Sequence, residues 1–233
     1  VVAEPAAAGG GSRDWVKQGK KGGSVNLYGT ANPELWDPHR GATRNSIHPT
    51  RSMFNGLVMY SPFPPTDQII GDLAKSWDVS NEGLTYTFHI HENVKWWDGQ
   101  PVTAEDVAFS LDRMVEEGEP RPRTGVLRNF YKNSEVIDPT TVEVNLTFPA
   151  AAFLPFLAID YMMILPKHVV ESGVDIGIPA NIVGSGPFKH VGYERGASYE
   201  FERNPDYFRE GLPFLDGAEV FIINDSGRAT TAL

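Results

Sequence analysis

The sequence contains no cysteine. That absence removes disulfides, thiolate-ligated zinc and thiol nucleophiles together. Long apolar runs are missing too. The longest uncharged run in the middle of the chain, Val144 to Ile159, is broken by Pro149 and Pro155 and ends at Asp160. A spanning helix needs about twenty apolar residues. Val1 to Ser12 has neither an initiating Met nor the apolar centre of a secretory signal. The sequence is therefore expected to begin after a removed leader or to be cut from a longer gene. No G-x-S-x-G, H-E-x-x-H, Walker A or G-x-G-x-x-G signature occurs, and no internal repeat. Basic charge is scarce: 20 Lys and Arg face 30 Asp and Glu, for a net charge of −10. Such a chain repels phosphate backbones, which argues against nucleic acid as a partner. No cofactor is expected.

What is present describes a turn-rich globular chain. Its 233 residues allow one large domain or two small ones. Hydrophobic residues make up 41%, enough for a packed core. The 23 glycines and 18 prolines exceed the combined share of about 12% typical of soluble domains. Residues 1–23, rich in Ala, Gly, Ser and Lys, read as a flexible leader, with structure starting near Ser24. Ser24–Tyr28 reads as a strand, and Asn32-Pro33 and Asp37-Pro38 punctuate a loop. Met53, Phe54, Leu57 and Val58 keep one-face spacing, which predicts a helix from Ser46 to Met59. Strands follow at Ile69–Val79 and Leu84–Ile90. Thr103 as N-cap, with Glu105 and Asp106 in the first turn, predicts a helix over Thr103–Glu117. A hairpin over 134–147, a short helix near Ala150–Leu157, a buried strand at Tyr161–Leu165 and a second hairpin at Phe188–Gly192 and Ser198–Arg203 come next. Ala218–Ile223 is a last strand, and Ser226–Thr231 resembles a first helical turn. Strands and helices mix without regular βαβ alternation, so the expected class is α/β in the loose sense, an α+β mixed sheet.

Individual residues give weak chemistry. His89 and His91 share a strand face, where two imidazoles could hold a metal, but only Glu92 lies nearby. A wet strand face explains them better. Trp36, Phe54, Tyr60, Phe130, Tyr131 and Tyr161 lie at element ends, where aromatics line clefts when they do not fill cores. Arg121, Arg123 and Arg128 form either a solvated loop or a clamp for carboxylate or phosphate, because guanidinium pairs such groups bidentately. The residues alone thus favour a binding protein over an enzyme.

Several blocks, in order, resemble one family. Gly22-Gly23 before the first strand, Asp37-Pro38, Asp72-Leu73-Ala74-Lys75-Ser76-Trp77 and Gly83-Leu84-Thr85-Tyr86-Thr87-Phe88 are four of them. The most specific runs from Val94 through Trp96-Trp97-Asp98-Gly99-Gln100-Pro101-Val102-Thr103-Ala104-Glu105-Asp106-Val107 to Ser110. Ile164-Leu165-Pro166-Lys167-His168, Gly184-Ser185-Gly186-Pro187-Phe188, Arg203-Asn204-Pro205-Asp206-Tyr207-Phe208 and Pro213-Phe214-Leu215-Asp216 complete the series. Together they resemble the extracytoplasmic solute-binding proteins of the peptide/nickel class of ABC importers, family 5.

The resemblance implies the larger lobe of a periplasmic-binding-protein-like fold, a class II Venus flytrap, here incomplete. Residues 24–233 would be the N-terminal part of the solute-binding domain, without the second lobe and the C-terminal return. It implies a small-molecule or peptide ligand, partnership with ABC permease transmembrane subunits, and a periplasmic or extracytoplasmic location, with membrane anchoring through a leader as an option. Peptide, nickel complex, oligosaccharide and opine binding all occur on this scaffold, and fold does not choose among them. A metal or metal-chelate binder is the alternative reading. The cleft residues the resemblance implies are Gly29, Thr30, Ala31 and Trp36 after the first strand, with Asn55, Arg128, Phe130, Asp160, Tyr161 and Met162. Asp160 would suit a cationic ligand group and Arg128 an anionic one.

Overall fold

The first and last strands of the described chain lie side by side. The computed structural model describes residues 19–224. Its strands are β1 (Ser24–Gly29), β2 (Val58–Tyr60), β3 (Ile69–Gly71), β4 (Ala74–Ser80), β5 (Thr85–Ile90), β6 (Tyr131–Asp138), β7 (Thr141–Leu146), β8 (Phe188–Glu194), β9 (Ser198–Arg203) and β10 (Gly217–Ile222). Its helices are α1 (Arg44–Thr50), α2 (Ala104–Val115), α3 (Phe153–Leu157) and α4 (Lys167–Glu171). One sheet has the order β1-β10-β9-β8, with β1 parallel to β10 and the other pairs antiparallel. A second, β4-β5-β7-β6, is antiparallel throughout, and β2-β3 form a small ribbon. The mixed α/β architecture is as expected.

The second sheet follows from alternation. Tyr86, Phe88 and Ile90 of β5 point inward beside Val142, Val144 and Leu146 of β7, and all are buried. α2 covers that sheet with Val107, Leu111 and Met114. Its start is fixed by one buried carboxylate. Asp106 accepts the Thr103 N–H at 2.9 Å, the Trp96 indole N–H at 3.3 Å and, through its other oxygen, the Lys167 N–H at 2.9 Å. One side chain thus closes a capping box and ties the Trp96 turn and the start of α4 to it. Asp106→Ala strands these donors, so it should lower unfolding free energy by about 2 kcal/mol in urea titration. An unchanged midpoint would remove Asp106 from this role.

Two expected elements differ. The predicted helix over Ser46–Met59 ends at Thr50, and its start moves back to Arg44, where the Thr43 hydroxyl accepts the Ser46 N–H at 3.3 Å. Met53, Phe54 and Leu57 are buried as the pattern required, but in irregular chain. Their backbone is claimed from outside: Gly186 N–H bonds the Met53 carbonyl at 2.8 Å and Ile164 N–H bonds the Asn55 carbonyl at 2.9 Å. A Cβ on Gly184 would sit 2.0 Å from the Met53 oxygen, so only glycine permits this approach. Tyr161–Leu165 is likewise not a strand. Met162 to Leu165 are buried, but only Met163 makes a bridge, to Gly56.

At the N-terminal side, Gly22 N–H bonds the Phe214 carbonyl at 2.9 Å, Gly23 N–H donates to the Asp216 carboxylate at 2.8 Å, and the Gly23 carbonyl accepts the Asp216 N–H at 2.8 Å. Residues 1–18 of the expected leader and the helical turn expected at Ser226–Thr231 lie outside the described residues. Of the Trp96-Trp97 pair, Trp96 is a core residue, while Trp97 is half-buried and donates to the Gly186 carbonyl at 3.3 Å.

Candidate functional site

A concavity of about 550 Å³ opens where the end of α1, strand β2, the segment 158–163 and the loop 204–211 meet. Arg51, Asn55, Tyr60, Asp160, Tyr161 and Arg209 are among its walls. Its floor is a buried polar knot. Asp72 accepts from Asn55 Nδ2 at 2.9 and 3.1 Å, from Gly56 N–H at 3.0 Å and from Arg209 Nη2 at 2.6 Å. Asn55 Nδ2 also reaches the Tyr207 hydroxyl at 3.3 Å, and Ser185 Oγ donates to Asn55 Oδ1 at 3.1 Å. Burial pushes the Asp72 carboxyl above the usual range, against the opposing pull of Arg209 and the Asn55 and Gly56 donors. With its polar groups already matched, the knot shapes the cavity floor rather than offering open valences.

The mouth is charged and exposed. Arg51 pairs with Asp160 at 3.3 Å, with side chains 63% and 40% exposed. Arg44, His48 and Arg51 follow one another at the i, i+4, i+7 spacing that puts them on one face of α1, and all three are exposed. Arg123 donates from Nε and Nη2 to the Ala42 carbonyl, each at 3.1 Å, and lies 5.6 Å over the Tyr161 ring.

Behind this mouth, Asp37 and Arg113 form a bidentate pair at 2.6 and 3.2 Å that ties the loop before α1 to the end of α2. Burial alone would raise Asp37, but the Arg113 pairing outweighs it and holds the carboxyl below its usual value. Arg121 is buried and donates to the Arg113 carbonyl at 2.9 Å and to Glu116 at 3.0 Å. The loop carrying Arg123 is therefore anchored on both sides.

Of the residues expected in a cleft, the concavity brings together Asn55, Asp160 and Tyr161. Gly29, Thr30 and Ala31 lie at the end of β1, outside its lining. Trp36 is buried edge-on to His190, Tyr193 and Tyr199. Phe130 packs against Phe153 and Phe156, and Met162 is buried. Arg128 donates to the Val115 carbonyl at 2.9 Å and to the Glu116 carbonyl, closing the C-terminal end of α2. Tyr60, read from the sequence as an element-end aromatic, lines the concavity, whereas Arg51, Asp72 and Arg209 were not singled out as site residues by sequence reasoning; isolated polar residues in loops carry no periodic signal. His89 pairs with Asp78 at 3.1 Å. Among the described residues no group of three His, Asp or Glu is placed to hold a metal, and no helix is long and apolar enough to cross a membrane.

The architecture is that of a lobe of the periplasmic binding proteins. The profile of the bacterial extracellular solute-binding proteins, family 5, matches residues 68–233, and the chain belongs to that family. It is 32% identical over 219 residues to di/tripeptide-binding protein 2 of Pseudomonas aeruginosa, covering 84% of this chain and 40% of that protein. The periplasmic binding protein DppA of Helicobacter pylori, solved in complex with the peptide STSA, superimposes with a TM-score of 0.80 at 26% identity, over 93% of this chain and 46% of that one. NikZ of Campylobacter jejuni, solved in complex with Ni(L-His), gives a TM-score of 0.72 at 26% identity, over 89% and 40%. The chain spans 34–40% of the length of the first curated relatives it matches.

Proposed function

We propose that this chain is the larger lobe of a receptor for an ABC importer, which captures peptides or related small solutes outside the cytoplasm and delivers them to a membrane permease. The observation that carries the reading is family membership across most of the chain, and relatives are named for di- and tripeptides. The concavity fits it: an exposed Arg51–Asp160 pair and the Tyr161 ring stand at the mouth of a space large enough for a short peptide. A second lobe closing over this face would exclude water and strengthen each polar contact. The receptor does no covalent chemistry in this reading.

A nickel-chelate receptor is the second reading, supported by the likeness to NikZ. Direct ligation by His89 is opposed by its pairing with Asp78.

The test is a thermal-shift panel on the natural full-length protein, holding short peptides, nickel–histidine, oligosaccharides and opines. A ligand that binds only the folded state adds about 2.7 kcal/mol at a hundredfold excess over Kd. Stabilisation by peptides establishes the receptor and its cargo. Stabilisation by nickel–histidine alone transfers the assignment to the second reading.

A further inference from the structure

In a chain of net charge −10, a cluster of arginines stands at the mouth of the concavity. Arg51 lines the cavity, and Arg44 and His48 continue the same face of α1. Seven residues of helix rise about 10 Å, close to three residues of extended peptide. Arg123 adds a third guanidinium, held over Tyr161 next to Asp160 and bonded to Ala42, two residues before Arg44. Asp160 is the carboxylate that acts on His48 beside Arg44 and Arg51.

These cations are not consumed by the fold. Arg44 makes no ion pair among the described residues. The Arg51–Asp160 pair is solvent-exposed, and pairs of that kind contribute little to stability. Arg123 spends two nitrogens on Ala42 and leaves Nη1 without a partner among the described residues. The arrangement also works against α1. Arg44 occupies the first helical position, where the helix dipole disfavours a cation, and no acidic residue stands in the first turn. His48 between the two arginines is held below its usual value by burial and by their charges, which leaves it a neutral hydrogen-bonding group at neutral pH. An anion on this face relieves the cost at the helix start.

We infer that the Arg44–His48–Arg51 face and Arg123 form a carboxylate-reading wall of the site, and that the ligand is a peptide carrying a carboxylate against it. The inference rests on the receptor reading and adds its substrate class. The carboxylate has two sources, an acidic side chain or the peptide C-terminus, and the geometry serves either.

Calorimetry on the natural full-length protein separates the cases, using Ala-Glu-Ala, Ala-Ala-Ala, the C-terminal amide of Ala-Ala-Ala, and Ala-Lys-Ala. Ala-Glu-Ala is expected to bind about tenfold or more tighter than Ala-Lys-Ala, the scale of one charge-assisted hydrogen bond, with the gap narrowing in high salt. Arg44→Gln with Arg51→Gln should abolish that preference while circular dichroism and melting stay those of the wild type. A loss confined to the amide identifies the terminal carboxylate as the group read, and also supports the inference. Equal binding of all four peptides, or an unchanged preference in the double variant, overturns the inference and leaves the receptor reading standing. Binding of none of them by folded protein overturns the peptide assignment and this inference with it.

Discussion

Asp72→Ala is expected to lower the unfolding free energy by about 3–4 kcal/mol. Removing one member of a buried ion pair costs about 3–5 kcal/mol, because the remaining charge stays desolvated without a partner. Asp72 is buried, whereas the Arg209 side chain keeps 21% of its exposure, which places the loss in the lower half of that range. Among the described residues, Arg209 would retain only the Gly71 carbonyl, at 3.2 Å, as an oxygen acceptor. Asn55 and Gly56 would lose their shared acceptor too. The decisive measurement is a double-mutant cycle in urea with Arg209→Met. Once the cation is gone, Asp72→Ala should cost markedly less. Additive losses would show that the two groups do not act as a pair.

Acid should destabilise the protein through His39. Its ring is buried, Nε2 donates to the Met163 carbonyl at 2.7 Å, and Nδ1 has no hydrogen-bond partner among the described residues. Burial is the largest influence and, with the Arg113 and Arg121 charges, outweighs Asp37 and lowers the ring to about 4. The unfolded chain takes up a proton near the usual imidazole value of 6.5. Between these values the unfolded state binds a proton that the folded state refuses. Stability therefore falls as pH drops from 6.5 to about 4, by on the order of 3 kcal/mol, and levels off below. Asp37, held low by Arg113, adds its own loss only under its usual 3.8. Unfolding of the wild type and of His39→Gln across this range checks the assignment. The variant should lose the slope between 6.5 and 4. An equal slope in both proteins would move the effect to another group.

Both groups sit in parts of the chain that the sequence leaves open, and the reason is physical. Short-range signals were legible. Thr103 and Asp106 stand three residues apart and close their capping box locally. Tyr86, Phe88 and Ile90 alternate because a sheet buries every second residue. Met53, Phe54 and Leu57 have helical spacing but not helical structure, since Gly186 and Ile164 take the carbonyls a helix would need. Periodicity records burial, not which group accepts a hydrogen bond.

The site was legible to the same degree. Asn55, Asp160 and Tyr161 fall on segments placed by resemblance, and they meet in one cavity. Arg128, the anion-binding candidate, is engaged by carbonyls twelve and thirteen residues away. The guanidinium groups at the mouth are instead Arg44, Arg51 and Arg123. A cation's availability depends on what folds next to it, and the sequence does not print that.

The pairing of β1 with β10 gives the lobe a fixed order of assembly. Gly23 and Asp216, which bond at the start of that parallel pair, are 193 residues apart. Closing so long a loop is entropically costly and must precede any gain from the ladder. The β4-β5, β6-β7 and β8-β9 hairpins join near neighbours and carry no such delay. During synthesis β1 waits as an unpaired strand, its backbone N–H and C=O groups open, until residue 217 and its followers emerge. The step that ends this exposure to stray pairing is the same step that seats Gly29 beside Ile222 at the far end of the ladder.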